Sequence, residues 1–390
     1  MIGPADDPRA GEGPLAGVRA LELGGIGPAP FCGMLLADLG AEVIKLERVS
    51  SAVAPPESAR FEVLNRGRKS VTLDLRQPEG RDIALSLAER CELVYEGFRP
   101  GVVERLGVGP VDCMARSPRI VYGRMTGWGQ DGPLAQEAGH GINYIGLVGA
   151  LDAMGPRGGP PVPPLNMLGD FCGGGMFLAL GLVSALWESD RWGRGQVVDA
   201  AIVDGTASLM GMLMGMRSAG QWTGGRGENL LDGGAHFYGV YQCADDRWIS
   251  VGAIESKFYG VLLEGLGLQH LEDQDQMDRS QWYVLRDRVS DAFRTRPRDE
   301  WVTLFAGRDA CVTPVLTVDE AAEHPHNRAR GYIRSVRGVV QPGPAPRFSR
   351  TPGRGPRPVP HAGDHTDVVL SELGFSESEL QALRSRGVVG

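Results

Sequence analysis

The sequence predicts an α/β protein with a large, Rossmann-like domain built on a parallel sheet and a smaller α+β domain. Strand and helix patterns alternate through the first hundred residues, as they do in βαβ units that form a parallel sheet. A second region of strand and helix patterns follows, from about residue 237 to 305. The chain of 390 residues is 42% hydrophobic and 23% charged, which is the composition of an ordinary globular protein.

Each predicted element rests on its own local pattern. Short apolar runs predict strands at Val18–Leu23, Val43–Leu46, Leu93–Tyr95, Ile120–Tyr122 and Trp248–Val251. Helical patterns occur near residues 31–39, 80–90, 206–223, 366–373 and 377–384. Residues 342–360 are rich in proline and arginine and show no periodicity, so we expect an extended linker there.

One apolar stretch raises the question of a membrane span. From Phe171 to Trp187 there are 17 residues without a charge. A span needs roughly 20 apolar residues, and three successive glycines open this stretch. We therefore interpret it as a buried core helix and expect no membrane association.

Composition argues against several kinds of protein. There are 40 basic and 48 acidic residues, a net charge of −8, so nothing favours nucleic-acid binding. Only Lys45, Lys69 and Lys257 could form a Schiff base. The six cysteines make no Cys-x-x-Cys pair and the seven histidines lack metal-motif spacing, so we expect no metal site. The acidic, turn-rich start of the chain has no signal or transit pattern, and we expect a cytoplasmic protein.

The turn Gly24–Gly27, between a strand and a helix, has two interpretations. It suggests a dinucleotide fingerprint, with Glu47 placed at the end of the second strand to hold a ribose hydroxyl. The third glycine of that fingerprint is replaced by Pro30. The alternative is a tight turn in an α/β domain that holds no dinucleotide.

A second motif is a group of basic residues near predicted strand ends. It is a candidate seat for phosphates, and the alternative is a solvated charged face. Its members are Arg48, Arg60, Arg66, Arg68, Lys69 and Arg99.

Four other residues have both an ordinary and a chemical interpretation. Asp170 precedes the uncharged helix, where it is either an N-cap or a carboxylate beside free N–H groups that stabilise an oxyanion. Cys172 is either activated by the same helix end or a small buried thiol. His140 lies in a polar turn and Glu255 follows an apolar strand, and each alone is unremarkable.

Several long segments of the chain are informative when they are considered together. They include GPAPFCGMLLADLGAEVIKLER (27–48), LNRGRKSVTLDL (64–75), EGFRPGVVERLGVGP (96–110), RMTGWGQDGP (124–133), AGHGINY (138–144), PLNMLGDFCGGG (164–175), RGENLLDGGA (226–235), VGAIESKFY (251–259) and GDHTDVVLSELGFS (363–376). With these segments the chain resembles the family III CoA-transferase (CaiB/BaiF) superfamily and, within it, the α-methylacyl-CoA racemases. The resemblance runs from about Leu15 to Leu383.

The resemblance implies an interlocked homodimer that binds an acyl-CoA thioester. It implies a large α/β CoA-binding domain in residues 1–205, a linker in 206–230, a small α+β domain in 231–330, and a segment 331–390 that returns to the large domain. It places the CoA phosphates at Arg48 and Arg99. It places the adenine at Leu73, Asp74, Leu75 and Arg76, and the thioester beside Gly139, Gly141, Ile142, Asn143 and Tyr144.

The racemase branch implies that His140 and Asp170 transfer protons, with Glu255 as the partner of the histidine. Inverting a carbon next to a thioester requires removal of its proton on one face and delivery of a proton on the other. A neutral imidazole serves as the base and a protonated carboxylic acid as the donor, and the roles exchange in the reverse direction. This two-base 1,1-proton transfer through an enolate needs no metal and no cofactor beyond the CoA of the substrate.

The sequence departs from the racemase pattern at two positions. The racemase motif reads Gly-His-Asp-Ile-Asn-Tyr, and Gly141 stands in place of the aspartate. His236 stands where racemases usually have proline. We hypothesise that Gly141 makes room for a different, bulkier acyl group.

Two other functions compete with racemisation. In a CoA-transferase, Asp170 is a nucleophile that forms an acyl anhydride and then a CoA thioester. Transferases do not need the pair His140 and Glu255, whose presence favours proton transfer. The third possibility is a catalytically impaired homologue that binds acyl-CoA without exchanging its α-proton. The acyl chain, the preferred direction, the pathway and the use of a carrier-bound thioester are not determined by the sequence.

Overall fold

The structure is a computed structural model that describes residues 11–53, 59–271 and 275–390. Residues 1–10, at the start of the chain where we find no leader pattern, lie outside the described residues. The chain divides into two compact units. Unit 1 comprises the described residues up to Val148, Leu165–Leu209 and Ala329–Gly390. Unit 2 comprises Gly149–Pro164 and the described part of Met210–Arg328.

Unit 1 is built on a six-stranded sheet with the strand order β3-β2-β1-β4-β5-β6. The strands are β1 (Arg19–Glu22), β2 (Glu42–Glu47), β3 (Lys69–Thr72), β4 (Leu93–Glu96), β5 (Val121–Thr126) and β6 (Val197–Ala201). Every neighbouring pair is parallel. This order is that of a doubly wound Rossmann-type sheet, so the predicted parallel sheet is confirmed.

Helices cover both faces of this sheet, which is why its strands are continuous apolar runs. In β1, Ala20 packs in one hydrophobic core and its neighbour Leu21 packs in the other. The helices of unit 1 are α1 (Pro28–Asp38), α2 (Pro78–Glu89), α3 (Val102–Leu106), α4 (Pro110–Arg116), α5 (Gly141–Leu147), α6 (Phe177–Trp192) with a preceding π-helix (Met167–Met176), α7 (Ile202–Leu209), α14 (Thr366–Glu372) and α15 (Glu377–Ser385).

The C-terminal part of the chain lies against the edge strand β3. A hairpin of β10 (Ile333–Val336) and β11 (Val339–Pro342) comes first, and no helix or strand follows it until α14 begins at Thr366. Val389 then forms an antiparallel bridge with Leu73. The extended stretch predicted for residues 342–360 is therefore confirmed, apart from its first residue.

Two of the predicted basic residues are interior structural groups. The Arg68 side chain is fully buried, and its Nε donates to Glu22 Oε2 at 2.7 Å. Arg66 is also buried, and its Nη2 lies 2.6 Å from Asp38 Oδ2. Both predictions, a phosphate-binding site and a solvated charged surface, are wrong for these two arginines. A buried charge needs a partner close by, and each of these guanidinium groups is occupied by a buried carboxylate. Lys69 is also engaged, with Glu42 and Glu372.

The apolar helix is less buried than we expected. The π-helix and α6 together span Met167–Trp192. In the most apolar 18-residue segment of this span, only 33% of the residues are buried. Leu180, Trp187 and Trp192 are exposed. The prediction of a buried core helix is therefore wrong for this face, because the sheet covers only the side that carries Leu178 and Leu182. Among the described residues it is the one helix whose length and composition would allow a membrane span, and that is weak evidence.

Unit 2 contains a three-stranded antiparallel sheet in the order β7-β8-β9, as expected of a small α+β domain. Its strands are β7 (Tyr238–Gln242), β8 (Trp248–Gly252) and β9 (Val312–Pro314). Its helices are α8 (Gly211–Ser218), α9 (Ser256–Leu266), α10 (Trp282–Phe293), α11 (Arg298–Phe305), α12 (Val318–Glu323) and α13 (Pro325–Arg330). The predicted Met-rich helix is two helices, α7 and α8, rather than one.

His236 lies in the core of unit 2. Its Nε2 is 2.8 Å from the hydroxyl of Tyr259, and Nδ1 has no partner among the described residues. Tyr241 donates a hydrogen bond to its carbonyl oxygen. Burial, helped by the nearby charge of Arg286, lowers the pKa of His236 to about 4. The folded protein therefore holds a neutral imidazole at this position.

We expect His236 to make the protein less stable in mild acid. The ordinary pKa is 6.5, so the unfolded chain takes up the proton first as the pH falls, and stability is lost between pH 6.5 and about 4. When the pH falls from 7 to 5, the wild-type protein loses unfolding free energy through His236. The His236→Gln variant should lose less, by on the order of 1–2 kcal/mol. Urea unfolding at several pH values measures this. The exposed His270→Gln is the control, and parallel curves for wild type and His236→Gln would contradict the expectation.

Candidate active site

Asp170 is not the N-cap of the apolar helix. It lies in the first turn of the π-helix, whose N-cap is Asn166. The first N–H groups of a helix have no partner inside the helix, so an acid in this turn still lies beside free backbone donors. Single π-helical segments occur often at functional sites, because they displace side chains from the regular helical register.

Three successive glycines let the π-helix pack close to its neighbours. A Cβ atom at Gly173 would lie 2.3 Å from the Thr206 hydroxyl in α7. A Cβ atom at Gly175 would lie 2.6 Å from the carbonyl oxygen of Pro28 in α1. Because any larger residue would push these helices apart, the glycines set how closely the π-helix that carries Asp170 packs against α1 and α7. Phe171 stacks on Phe31 of α1 with ring centroids 4.5 Å apart.

His140 is the N-cap residue of α5. Its backbone N–H donates to Asn143 Oδ1 at 3.0 Å, so the side chain of Asn143 fixes the turn in which the histidine stands. The imidazole is exposed and makes no hydrogen bond with any described residue. An exposed imidazole without a hydrogen-bond partner among the described residues is available to a ligand.

The structure brings Asp170 next to the turn of His140. A Cβ atom at Gly141 would lie 2.8 Å from Asp170 Oδ1, and one at Gly27 would lie 3.8 Å from Oδ2. Burial raises the pKa of Asp170 above its ordinary value, and the charge of His140 opposes this rise. The carboxylate of Asp170 forms no hydrogen bond with any described residue. The pair is therefore a base and an acid with free hydrogen-bonding atoms in one place.

Gly141, the departure from the racemase motif, lies directly against the candidate acid. A side chain at this position would have to displace the carboxylate of Asp170, and a second carboxylate would also repel it. The glycine therefore removes both bulk and charge from the immediate surroundings of Asp170.

Tyr144 of α5 lies near the carboxylate of Asp170. It donates a hydrogen bond to the Gly139 carbonyl and packs edge-on against Trp128, with centroids 4.6 Å apart. The carboxylate of Asp170 helps burial to raise the pKa of Tyr144. Ile142 and Asn143 are exposed on the first turn of α5.

Glu255 belongs to unit 2, whereas His140 and Asp170 belong to unit 1. It is exposed at the N-cap of α9, where its carbonyl oxygen accepts from Tyr259 N at 3.0 Å. Its role as partner of His140 stays a prediction.

The predicted CoA-binding residues follow three strands at their carboxyl ends. Arg48 follows β2, Leu73–Arg76 follow β3, and Arg99 follows β4. Carboxyl ends of parallel strands form the ligand-binding edge of an open α/β sheet. Arg48 and Arg99 are exposed and form no ion pair with any described residue. Leu73 is buried, and Arg76 lies 2.8 Å from Asp74, whose pKa it lowers to about 2.

The same edge shows why the turn at Gly24 is a poor dinucleotide site. A Cβ atom at Gly25 would lie 3.2 Å from the Cα atom of Gly97, and one at Gly24 would meet the ring of Phe98 at 2.9 Å. Glu47, the predicted ribose ligand, is occupied by Lys45 at 3.3 Å and by the hydroxyl of Ser70.

Sequence reasoning missed Glu96 and misjudged Cys172. Glu96 is buried at the end of β4, accepts from Phe98 N at 2.6 Å, and so shapes the loop that carries Arg99. Burial raises the pKa of Glu96 to about 7. The signal available in the sequence was an acid at the end of an apolar strand.

Of the two interpretations of Cys172, the small buried thiol is wrong. Cys172 is exposed, because it lies on the solvent side of the π-helix.

The described residues contain no group of three His, Cys, Asp or Glu side chains placed to hold a metal ion.

Comparisons with known proteins decide the family. The family model for CoA-transferase family III matches residues 15–366. The chain belongs to CoA-transferase family III. It is 44% identical to the α-methylacyl-CoA racemase of Mus musculus, over 96% of this chain and 97% of that protein. It is 42% identical to the α-methylacyl-CoA racemase of Homo sapiens, with the same coverage of 96% and 97%.

A solved structure supports the family III fold. A CaiB/BaiF family protein from Brucella suis superposes with a TM-score of 0.80, over 93% of this chain and 100% of that chain, at 24% identity. Identity this low shows the fold alone. The strand order and the small antiparallel sheet described above are thus those of a family III protein.

Proposed function

We propose that this protein is a 2-methylacyl-CoA racemase, an isomerase that inverts the α-carbon of an acyl-CoA thioester. One observation carries the proposal: the side chains of His140 and Asp170, two groups able to exchange protons, stand close together, and neither has a hydrogen-bond partner among the described residues. The racemases named above support the reaction class, because they are similar over nearly the full length of both chains.

In the proposed mechanism, the neutral imidazole of His140 removes the α-proton and Asp170 delivers a proton to the opposite face. In the reverse direction the roles exchange. Burial raises the pKa of Asp170, which keeps a larger fraction of its carboxyl groups protonated at a given pH. The enolate oxygen that forms between the two steps is stabilised by backbone N–H groups in the first turn of the π-helix. Glu255 orients the histidine and stabilises its imidazolium form.

The CoA part of the substrate lies along the carboxyl edge of the sheet in this proposal. Arg48 and Arg99 bind its phosphates, because exposed guanidinium groups without a carboxylate partner prefer such anions. Leu73–Arg76 hold the adenine, and the turn Gly139–Tyr144 borders the thioester. The space beside Gly141 accommodates a bulkier acyl group.

The remaining features are proposals drawn from the family resemblance and from composition. We propose an interlocked homodimer, a reaction that uses no cofactor beyond the CoA of its substrate, and a cytoplasmic location. Size-exclusion chromatography with light scattering tests the dimer, and activity after dialysis against a chelator tests the independence from metals.

A family III CoA-transferase is the second candidate. In that reaction Asp170 is the nucleophile, and its free carboxylate oxygens suit this role as well. The two candidates differ in the use of His140, which a transferase does not need.

Proton NMR in deuterated water distinguishes the candidates. The substrates are (2R)- and (2S)-2-methylacyl-CoA, each incubated separately with the enzyme. We expect deuterium at the α-carbon and both epimers from either substrate. Transfer of CoA to an added carboxylic acid, without α-exchange, would assign the protein to the transferases. If neither reaction occurs and the protein still binds CoA, it would be assigned as a catalytically impaired homologue that binds acyl-CoA.

A further inference from the structure

Unit 1 has a cavity at the end of its sheet where the strands begin. The predicted CoA-binding residues lie at the other end, after the carboxyl ends of the strands. The cavity has a volume of about 400 Å³ and lies where β2 and β3 begin, at Glu42 and Lys69. A second cavity of about 280 Å³ adjoins it, since Arg337, Pro358 and Val359 line both. The β2 strand has six residues, so its ends are roughly 17 Å apart at about 3.3 Å per residue. This cavity is therefore a different place from the loop of Arg48.

The lining of the larger cavity is strongly basic. Its cationic members are Arg68, Lys69, Arg337, Arg354 and Arg357, whereas its carboxylates are Glu42 and Asp364. Glu42 already holds Arg19 at 2.7 Å and Lys69 at 2.9 Å. Arg68 is paired with Glu22, and Asp364 accepts from the backbone N–H of His361 at 2.7 Å.

Three arginines are left without a carboxylate partner among the described residues: Arg337, Arg354 and Arg357. Arg357 donates from Nη2 to the Gly67 carbonyl at 2.8 Å, and Arg354 donates from Nε to the Glu12 carbonyl at 3.1 Å. A guanidinium group has five N–H donors, so most of theirs are unused. Burial and the like charge of Arg354 lower the pKa of Arg357, which shows two cations held close together.

The backbone is shaped to hold these arginines in place. Gly67 has a φ of +73°, and a Cβ atom there would lie 3.1 Å from Nη2 of Arg357. Arg337 itself has a φ of 48° in the two-residue turn between β10 and β11. Asn or Gly is the usual residue in such a turn, and an arginine with positive φ is strained. Strain at a charged residue that lines a cavity points to a function for its side chain.

We propose that this cavity binds a ligand with two or more phosphate groups, held by Arg337, Arg354 and Arg357. Guanidinium forks match phosphate oxygens in pairs, and one anion between three cations would relieve their mutual repulsion. The volume falls within the range of small-molecule sites. The site is independent of the racemase reaction, because none of its three arginines follows the carboxyl end of a strand of the parallel sheet.

Isothermal titration of the full chain with inorganic pyrophosphate, in the presence of saturating CoA, tests the proposal. We expect binding that CoA does not displace. Arg337→Gly removes one cation and suits the turn, so the fold is kept while the affinity falls about tenfold, or about 1.4 kcal/mol. The matched control is Arg334→Thr, which removes the same charge from the same hairpin outside the cavity and should leave the affinity unchanged.

Three outcomes would overturn the proposal. They are an absence of binding at millimolar pyrophosphate, displacement by CoA, and equal losses in the two variants, which would indicate a general effect of net charge. A parallel titration with ADP separates two sources of the phosphates. Tighter binding of ADP supports a nucleotide, and equal or weaker binding supports the same site with an inorganic polyphosphate.

Discussion

Asp170→Asn is expected to lower the rate of α-proton exchange by about 10²–10⁴-fold, the usual contribution of a general acid or base. Asparagine has the same shape, so the π-helix and its glycine contacts should be kept. The amide cannot donate or accept the proton that the second face of the α-carbon requires. Proton NMR of 2-methylacyl-CoA in deuterated water measures the exchange rate, and equilibrium dialysis measures CoA affinity, which should not change.

The matched control is Asp204→Asn, in an exposed carboxylate of α7 that does not contact Asp170. It should leave exchange near the wild-type rate. A wild-type rate in Asp170→Asn would remove Asp170 from the mechanism. Loss of CoA affinity in Asp170→Asn would instead indicate a structural role.

Arg68→Met is expected to destabilise unit 1 by about 3–5 kcal/mol, because it leaves the buried carboxylate of Glu22 without its cation. Glu22 is the last residue of β1 and is fully buried. Its Oε2 accepts from Arg68 at 2.7 Å and from the hydroxyl of Tyr95 at 2.9 Å, and Oε1 has no partner among the described residues. Urea unfolding followed by circular dichroism measures the loss.

Two further variants separate this effect from a general loss of packing. Arg119→Met breaks an exposed pair with Asp190, 3.5 Å apart, and should change stability by less than about 1 kcal/mol. Adding Glu22→Gln to Arg68→Met removes the stranded charge and should restore a large part of the loss. If the double variant is as unstable as Arg68→Met alone, the shape of the arginine matters more than its charge.

The residues of the candidate site were named from the sequence, but their arrangement was not. His140 and Asp170 are 30 positions apart, and each alone has an ordinary interpretation. They come together because α5 and the π-helix pack through Gly141 and Gly169, where a Cβ atom at Gly169 would lie 3.0 Å from Ile145. Periodicity describes one element at a time, so it does not report a contact between two helix starts.

The same limit explains the errors. Asp170 reads as an N-cap because aspartate before an apolar run is a common cap. The π-helix begins three residues earlier, and hydrophobic patterns do not distinguish its register. Arg66 and Arg68 read as part of a surface patch because charge is normally solvated. Their carboxylate partners, Asp38 and Glu22, lie 28 and 46 residues away in the chain.

The sequence by itself determined the α/β class, the parallel sheet and the family, because each depends on local apolar runs or on long matching segments. The tertiary structure alone decided which charges are buried and which are free. Arg68 and Arg357 are both arginines beside the start of β3, yet one is neutralised by Glu22 and the other has no carboxylate partner among the described residues. Electrostatic energy depends on distances through space, and these are set only when the sheet, the helices and the returning C-terminal segment have packed.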